Sequence, residues 1–339
     1  MTNTDVHLKS IPFGRIDTVW FHYKEALDQV EGEIKRGLDS EVALINEVAQ
    51  YTLVSGGKRI RPLLLIICAN IGQSVAPIDE RYLILGSVVE FIHTATLLHD
   101  DVLDNAKNRR GQLAARNRYG NQASILVGDF LYTRAVCRVV SMENMEMNYL
   151  LASTCSKMTE GETWQLAHTS DFNLAEERYL KIIAYKTASL ISASCKLGGV
   201  MASASFEEKE ALAAFGHSLG IAFQVADDTL DYVADKNRLG KALGQDIKEG
   251  KMTLPLIHLL SHCRKKEKAS LIELIQSGKP QKDLSSVLKL MEFYGSIAYA
   301  QKSAHAFVKK AKDKLRIFPA SIHKEALQTV ASYVADRDH

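Results

Sequence analysis

Apolar residues recur at spacings of three and four along most of this chain, and strict alternation is scarce. That is the periodicity of helices with one buried face. Four long tracts carry it: Asp79 to Asp104, Asn121 to Met142, Glu176 to Leu197 and Phe206 to Ala234. Prolines stand at 12, 62, 77, 255, 280 and 319, so nothing of that kind breaks a helix between Pro77 and Pro255. Pro62 suits the first turn of a helix opening at "RPLLLIICANIG", with Gly72 near its stop. After Pro255 the pattern continues as shorter helices interrupted near His262, Gly278 and Phe318, and the charge run "HCRKKEK" at 262–268 reads as a solvated turn. No Gly/Ser linker, low-complexity segment or shift of composition marks a second domain. The expected fold is all-α, one bundle of long helices over residues 16–339 behind a mobile lead-in over residues 1–15.

One repeat stands out against this pattern. "LLHDDVLD" and "QVADDTLDY" both place DDxLD at the end of an apolar helical tract. Residues four apart on a helix share a face, so Asp100 and Asp104 point the same way, as do Asp227 and Asp231. Asp101 and Asp228 are rotated by about 100° from their neighbours. Carboxylates crowded on one face repel unless a cation sits between them. Hard oxygen donors suit Mg²⁺, which takes one or two protein carboxylates and fills its shell with water and phosphate oxygens. A single DDxxD would be an ordinary solvated helix end; two copies with the same spacing imply a shared site for a magnesium diphosphate.

Composition narrows the partners. The chain has 339 residues, 46% hydrophobic and 24% charged, the profile of a soluble globular protein, and its net charge of +2 recommends neither nucleic acid nor an anionic membrane. The five cysteines (Cys68, Cys137, Cys155, Cys195, Cys263) are scattered and odd in number, which argues against a disulfide frame or zinc site and for a reducing cytosol. The N-terminus lacks the basic start and apolar core of a secretory signal, and "PLLLIICA" is far short of a membrane span of roughly 20 residues.

Cations suited to diphosphates are spread along the sequence. "SGGKRIRP" offers Gly56 and Gly57, beside which backbone N–H groups can approach a phosphate, then Lys58, Arg59 and Arg61. Arg109 and Arg110 follow the first acidic face; Lys186 with Thr187 lies mid-chain; Lys241 and Lys251 follow the second face. His93 sits seven residues before Asp100, two turns along the same stripe. Arginine suits bidentate capture and lysine a point contact, so the mixture fits two diphosphates held at different places. Other chemistries find no support. There is no HExxH pair, "GHSLG" lies inside a helical tract without the strand-to-helix turn a nucleophilic Ser218 would need, and Cys263 with His262 sits in the charged run. Metal-assisted ionisation of a C–O bond remains, with dry apolar walls around the cation it leaves.

The combination "GGKRIRP", "HTATLLHDDVLDNAKNRRG", "VGDFLYTRA", "AYKTASL", "FQVADDTLDY" and "LGKALGQDIKEGKMTLP" resembles the trans-isoprenyl diphosphate synthases over roughly residues 40–260. The resemblance implies a helical bundle around a deep central cavity, a homodimer, and head-to-tail joining of isopentenyl diphosphate to an allylic diphosphate such as farnesyl diphosphate. By motif, Asp100 and Asp104 would bind two Mg²⁺ ions and Asp227 a third, with Asp101 and Asp231 as outer-sphere or water-mediated ligands. Lys58, Arg61, His93 and Arg110 would hold isopentenyl diphosphate. Arg109, Lys186, Lys241 and Lys251 would meet the allylic diphosphate, with Thr187 and Gln224 beside the reacting carbon. Departing diphosphate leaves an allylic cation, the isopentenyl double bond attacks it, and released diphosphate takes the proton.

The residues five and four before the first motif, bulky aromatics in short-chain members of that family, are here Ala95 and Thr96. Small side chains leave the floor open, and the resemblance is strongest to enzymes making octaprenyl or nonaprenyl quinone tails. Two alternatives are disfavoured. A terpene cyclase or head-to-head synthase would leave "GGKRIRP" without a role, and a non-catalytic subunit would show eroded aspartates. A medium-chain product, geranylgeranyl to heptaprenyl, stays open.

Overall fold

Local signals in the sequence start the helices, and apolar faces then decide how they stack. The computed structural model describes residues 13–54, 57–72, 80–233, 244–277 and 284–336. Its helices in chain order are α1 (Ile16–His22), α2 (Lys24–Gly37), α3 (Ala43–Val54), α4 (Ile60–Asn70), α5 (Glu80–Leu103), α6 (Ala115–Tyr119), α7 (Asn121–Val140), α8 (Met145–Ala167), α9 (Glu176–Ile183), α10 (Ser189–Met201) and α11 (Phe206–Val233). Then follow α12 (Gln245–Lys248), α13 (Leu254–His262), α14 (Lys265–Gln276), α15 (Leu284–Phe293), α16 (Ser296–Lys314) and α17 (Ile322–Ala335). Asn144 caps α8 by accepting from the Met147 N–H at 3.0 Å. Ser205 and Glu208 cap α11 reciprocally, each side chain accepting the other's backbone N–H at 3.2 and 2.8 Å. Pro62 falls in the first turn of α4, where its missing N–H leaves no helical bond unmade.

Two adjoining apolar cores share α11. The first gathers α1 to α5, α7, α8, α10, α17, the front half of α11 and the end of α16 (Val308, Ala311); the second gathers α9, α13 to α15, the start of α16 (Ala300, Ala304) and the rear half of α11. Every residue of α4 from Pro62 to Asn70 is buried, so it is a central helix with no solvent face, and each large side chain there contributes about 1.5–3 kcal/mol by leaving water. By length and composition Arg81–Leu103 of α5 could cross a membrane, its most apolar 18-residue stretch having a mean hydropathy of 1.3, a longer apolar run than "PLLLIICA". It is instead an interior helix, with 67% of that stretch buried, packed on α2, α4 and α7.

The expected tracts become α5, α7 and α11, each ending within two residues of expectation. Asp79 and Ala234 fall outside the described residues. Three departures are informative. Glu176 to Met201 is helical throughout, but Ala184–Ala188 form a π-helical turn between α9 and α10. The charge run at 262–268 is not one solvated turn: Cys263 and Arg264 interrupt the helix, and Lys265 to Lys268 open α14, whose Glu267 accepts the Arg264 N–H at 2.9 Å. The lead-in lies outside the described residues up to Pro12. From Phe13 the chain is docked, since its buried ring is fixed by its N–H donating to Glu325 at 2.8 Å and its carbonyl accepting from Thr329 at 2.9 Å.

Candidate active site

Both DDxLD segments occupy the last turns of their helices, α5 and α11, and the bundle turns them toward one cavity of about 1880 Å³. Asp100 and Asp104 line one wall and Asp227 and Asp231 another. Lys251 ties the walls together: its ammonium pairs with Asp104 and with Glu249, each at 2.8 Å. Burial alone would lower this ammonium, and the carboxylates of Asp104, Glu249 and Asp246 overcome that and raise its pKa. Asp100 is pushed up to about 6, chiefly by burial; Lys186 opposes the rise while Glu162 and Asp104 add to it. Asp100 and Asp104 on one wall and Asp227 and Asp231 on the other are all oxygen donors. Among the described residues no three metal-binding side chains form a preformed cage. Such an arrangement fits a hard divalent ion that takes its remaining ligands from phosphate and water.

The middle aspartates behave differently. Asp101, expected as an outer-sphere ligand, is turned away from the cavity and buried, and it accepts from Arg109 Nε at 2.6 Å. Its carboxylate holds the arginine, and the loop after α5 explains why the two meet. Asn108–Arg109 and Gln112–Leu113 form a two-stranded antiparallel hairpin with Arg110 and Gly111 at its tip, at φ 51° and 78°. Two consecutive positive φ values define a type I′ turn, which glycine adopts freely and which folds both arginines back over the cavity. Asp228 is also buried, accepting from Tyr179 Oη at 2.6 Å and Gln224 Nε2 at 2.7 Å, while Thr187 donates to Gln224 Oε1 at 2.7 Å. Burial raises the pKa of Asp228 to about 6, against the opposing pull of the hydrogen bonds from Tyr179 and Gln224. Asp231 lines the cavity and accepts the backbone N–H groups of Gln245 and Asp246 at 3.2 and 2.9 Å, capping α12.

Lys186 and Thr187 lie on the π-helical turn, and Lys186 pairs with Glu162 of α8 at 2.5 Å. Gly161 makes this possible: a Cβ there would stand 2.4 Å from the Lys186 backbone nitrogen. At the other end Lys58, Arg61, His93 and Arg110 line the same cavity, joined by Arg59 and Arg109. Beneath them is Glu90, buried and bound by Arg59 Nη1 at 2.9 Å, the anion that offsets part of this positive charge. Arg61 is lowered to about 10 by burial, and its Nε is buried without a partner. Burial and the surrounding arginines hold His93 well below its ordinary value, so its imidazole is neutral near pH 7. Concentrated cations with one orphaned donor are what a diphosphate would satisfy.

The rest of the wall is apolar or small. Ala95 and Thr96 face the cavity with Ile92, Met158, Leu190 and Phe223, and Thr96 satisfies its own hydroxyl on the His93 carbonyl at 2.7 Å. Tyr132 of α7 and Ala152 and Cys155 of α8 also line it. Lys241 lies outside the described residues. The sequence reading missed Glu90, Glu162, Tyr179, Asp246 and Tyr333. Glu90 could have been found as a lone carboxylate within an apolar tract, which needs a cation to be buried; Glu162 and Tyr333 carry no local signal, being placed by helices distant in sequence.

Comparison with known proteins agrees with this geometry. The family model for polyprenyl synthetase matches residues 42–292. Octaprenyl diphosphate synthase of Escherichia coli (strain K12) is 38% identical over 309 residues, covering 91% of this chain and 95% of that protein. A short chain isoprenyl diphosphate synthase of Methanothermobacter thermautotrophicus is 33% identical over 321 residues, covering 94% and 97%. Polyprenyl synthase of Caulobacter crescentus CB15, solved with calcium and isoprenyl diphosphate, superposes with a TM-score of 0.91 at 36% identity over 96% of this chain and 99% of that one. Likeness along nearly the whole length, in sequence and in fold, leads to one assignment: this chain belongs to the polyprenyl synthetase family and is a divalent-metal-dependent prenyltransferase that makes prenyl diphosphates.

Proposed function

We propose that the enzyme condenses isopentenyl diphosphate with an allylic diphosphate such as farnesyl diphosphate, repeatedly and head-to-tail, to make an all-trans octaprenyl or nonaprenyl diphosphate for a quinone side chain. The observation that carries this reading is the single cavity with opposed aspartates, an arginine lobe and a wall of small side chains at Ala95 and Thr96. Asp100, Asp104 and Asp227 would hold three Mg²⁺ ions, which when bound neutralise diphosphate oxygens and ease its departure. Lys186, Arg109, Lys251 and Lys241 orient the allylic diphosphate. Thr187 and Gln224, linked to each other and to Asp228, set the polar edge beside the reacting carbon. Lys58, Arg61, Arg110 and neutral His93 grip isopentenyl diphosphate, so that the double bond meets the allylic carbon as the leaving group departs. The apolar wall excludes water from the cation.

We place the enzyme in the cytosol as a homodimer. Ile125, Leu126, Val136 and Val140 on α7, with Met145 and Tyr149 on α8, leave apolar side chains exposed that a second copy would cover. Incubation with labelled isopentenyl diphosphate and farnesyl diphosphate, followed by dephosphorylation and sizing, tests the reading: products of eight or nine C5 units are expected, and a ladder stopping at or below C35 would refute the long-chain assignment in favour of a medium-chain one. Sedimentation of the wild type against Leu126→Glu tests the dimer.

A further inference from the structure

A second, smaller cavity of about 370 Å³ adjoins the first, bounded by α1, α2 and the loop before α4. Gly57, Lys58, Arg59 and Tyr333 line both. Tyr333, on α17 and 275 residues away in sequence, receives a hydrogen bond from the Lys58 ammonium, which also stands 4.8 Å from the centre of its ring. Trp20 completes the arrangement: its ring meets Tyr333 edge-on at 6.1 Å, and its indole N–H donates to the Lys58 carbonyl at 2.7 Å. Lys58 is thus held at both ends, its backbone by α1 and its ammonium by α17.

The kind of partner matters. Arg59, Arg109, Lys186 and Lys251 are each held by a carboxylate, which cancels charge as it positions. Lys58 is held by a phenol. A neutral acceptor fixes the ammonium without neutralising it, occupies one of its three N–H donors and leaves two for an anion. A lysine on a loop would otherwise lose rotamer freedom on gripping a phosphate, and here much of that freedom is already gone.

We propose that Tyr333 is a positioning residue for isopentenyl diphosphate, acting through Lys58 by preorganising its ammonium at the boundary between the two cavities. This rests on the assignment of Lys58 to isopentenyl diphosphate made above. Tyr333→Phe keeps the ring and its contacts with Trp20 and Lys58 and removes only the hydroxyl. It should raise KM for isopentenyl diphosphate about 5- to 20-fold, the loss of one charge-assisted hydrogen bond, while kcat and KM for farnesyl diphosphate stay within about twofold. In a Lys58→Ala background the same change should have no further effect on that KM. If Lys58→Ala raises KM for isopentenyl diphosphate but Tyr333→Phe does not, or raises it equally in both backgrounds, the role of Tyr333 is refuted and the assignment of Lys58 stands. If Lys58→Ala leaves that KM unchanged, the assignment of Lys58 falls and this proposal with it.

Discussion

The two aspartate motifs share the pattern DDxLD near the ends of their helices, yet the protein treats them differently. In the first, the middle residue Asp101 is paired with a cation, Arg109, and Asp104 with another, Lys251. In the second, the middle residue Asp228 is held by neutral groups, Tyr179 and Gln224, and Asp231 caps a short helix. A carboxylate paired with a cation fixes that cation in place; one held by a phenol and an amide shapes the wall, and burial raises Asp228 to about 6. The motifs are alike in their first position, where Asp100 and Asp227 line the cavity and metal is expected, and differ in the positions that follow, each tied to whatever its helix packs against.

The largest test breaks the first positions. Asp100→Ala or Asp227→Ala should lower kcat by about 10³-fold or more with unchanged far-ultraviolet circular dichroism, since leaving-group stabilisation is lost but the fold is not. Near-normal turnover in either variant would remove the metal assignment. The middle positions should then separate. Asp101→Asn leaves the guanidinium of Arg109 without its counter-charge and should lower kcat/KM about 10- to 100-fold, whereas Asp228→Asn still offers an acceptor to Tyr179 and should stay within about threefold. Steady-state kinetics on both variants measure this, and the reverse order would overturn the contrast.

The residues ahead of the motifs sharpen the comparison further. Five and four before the first are Ala95 and Thr96; at the same offsets before the second are buried Ala222 and cavity-facing Phe223. Ala95→Phe places an aromatic on the α5 wall as well and should shorten the product, read from the chain-length ladder. An unaltered ladder would show that the floor lies elsewhere, with Tyr132 and Cys155 next to test.

The smallest effect is in pH. Asp100 is raised to about 6 from 3.8, so between those values the folded protein binds more protons than the unfolded chain, and this residue favours folding as pH falls from 7 to 5. His93, held well below 6.5, works in the opposite direction below that value. The informative quantity is therefore a difference. Without metal, the wild type should gain on the order of 2–4 °C in Tm over Asp100→Asn between pH 7.5 and 5. Mg²⁺ with diphosphate should reverse the trend, because binding requires the ionised carboxylate; equal pH slopes for both proteins would refute the account of Asp100.

Most long helices were legible because helix periodicity and the absence of prolines are local properties. The acidic pairs were legible for the same reason, as i and i+4 positions need no knowledge of the rest of the chain. The π-helical turn at Ala184–Ala188 was not: nothing within "AYKTA" distinguishes it from a regular turn, and Gly161, which lets its backbone approach, lies on another helix. The arginine hairpin was half legible, since "RRG" marks a turn but not that Arg109 would fold back on Asp101.

What the sequence determined by itself was the set of elements and the chemistry each one carries, because periodicity, caps and spacing act over a few residues. Only the tertiary structure decided which carboxylates face the cavity and which are tied to a neighbour. Glu90 beneath the arginines, Glu162 beside Lys186 and Tyr333 against Lys58 are brought there by the packing of apolar faces, and that packing depends on the whole chain at once.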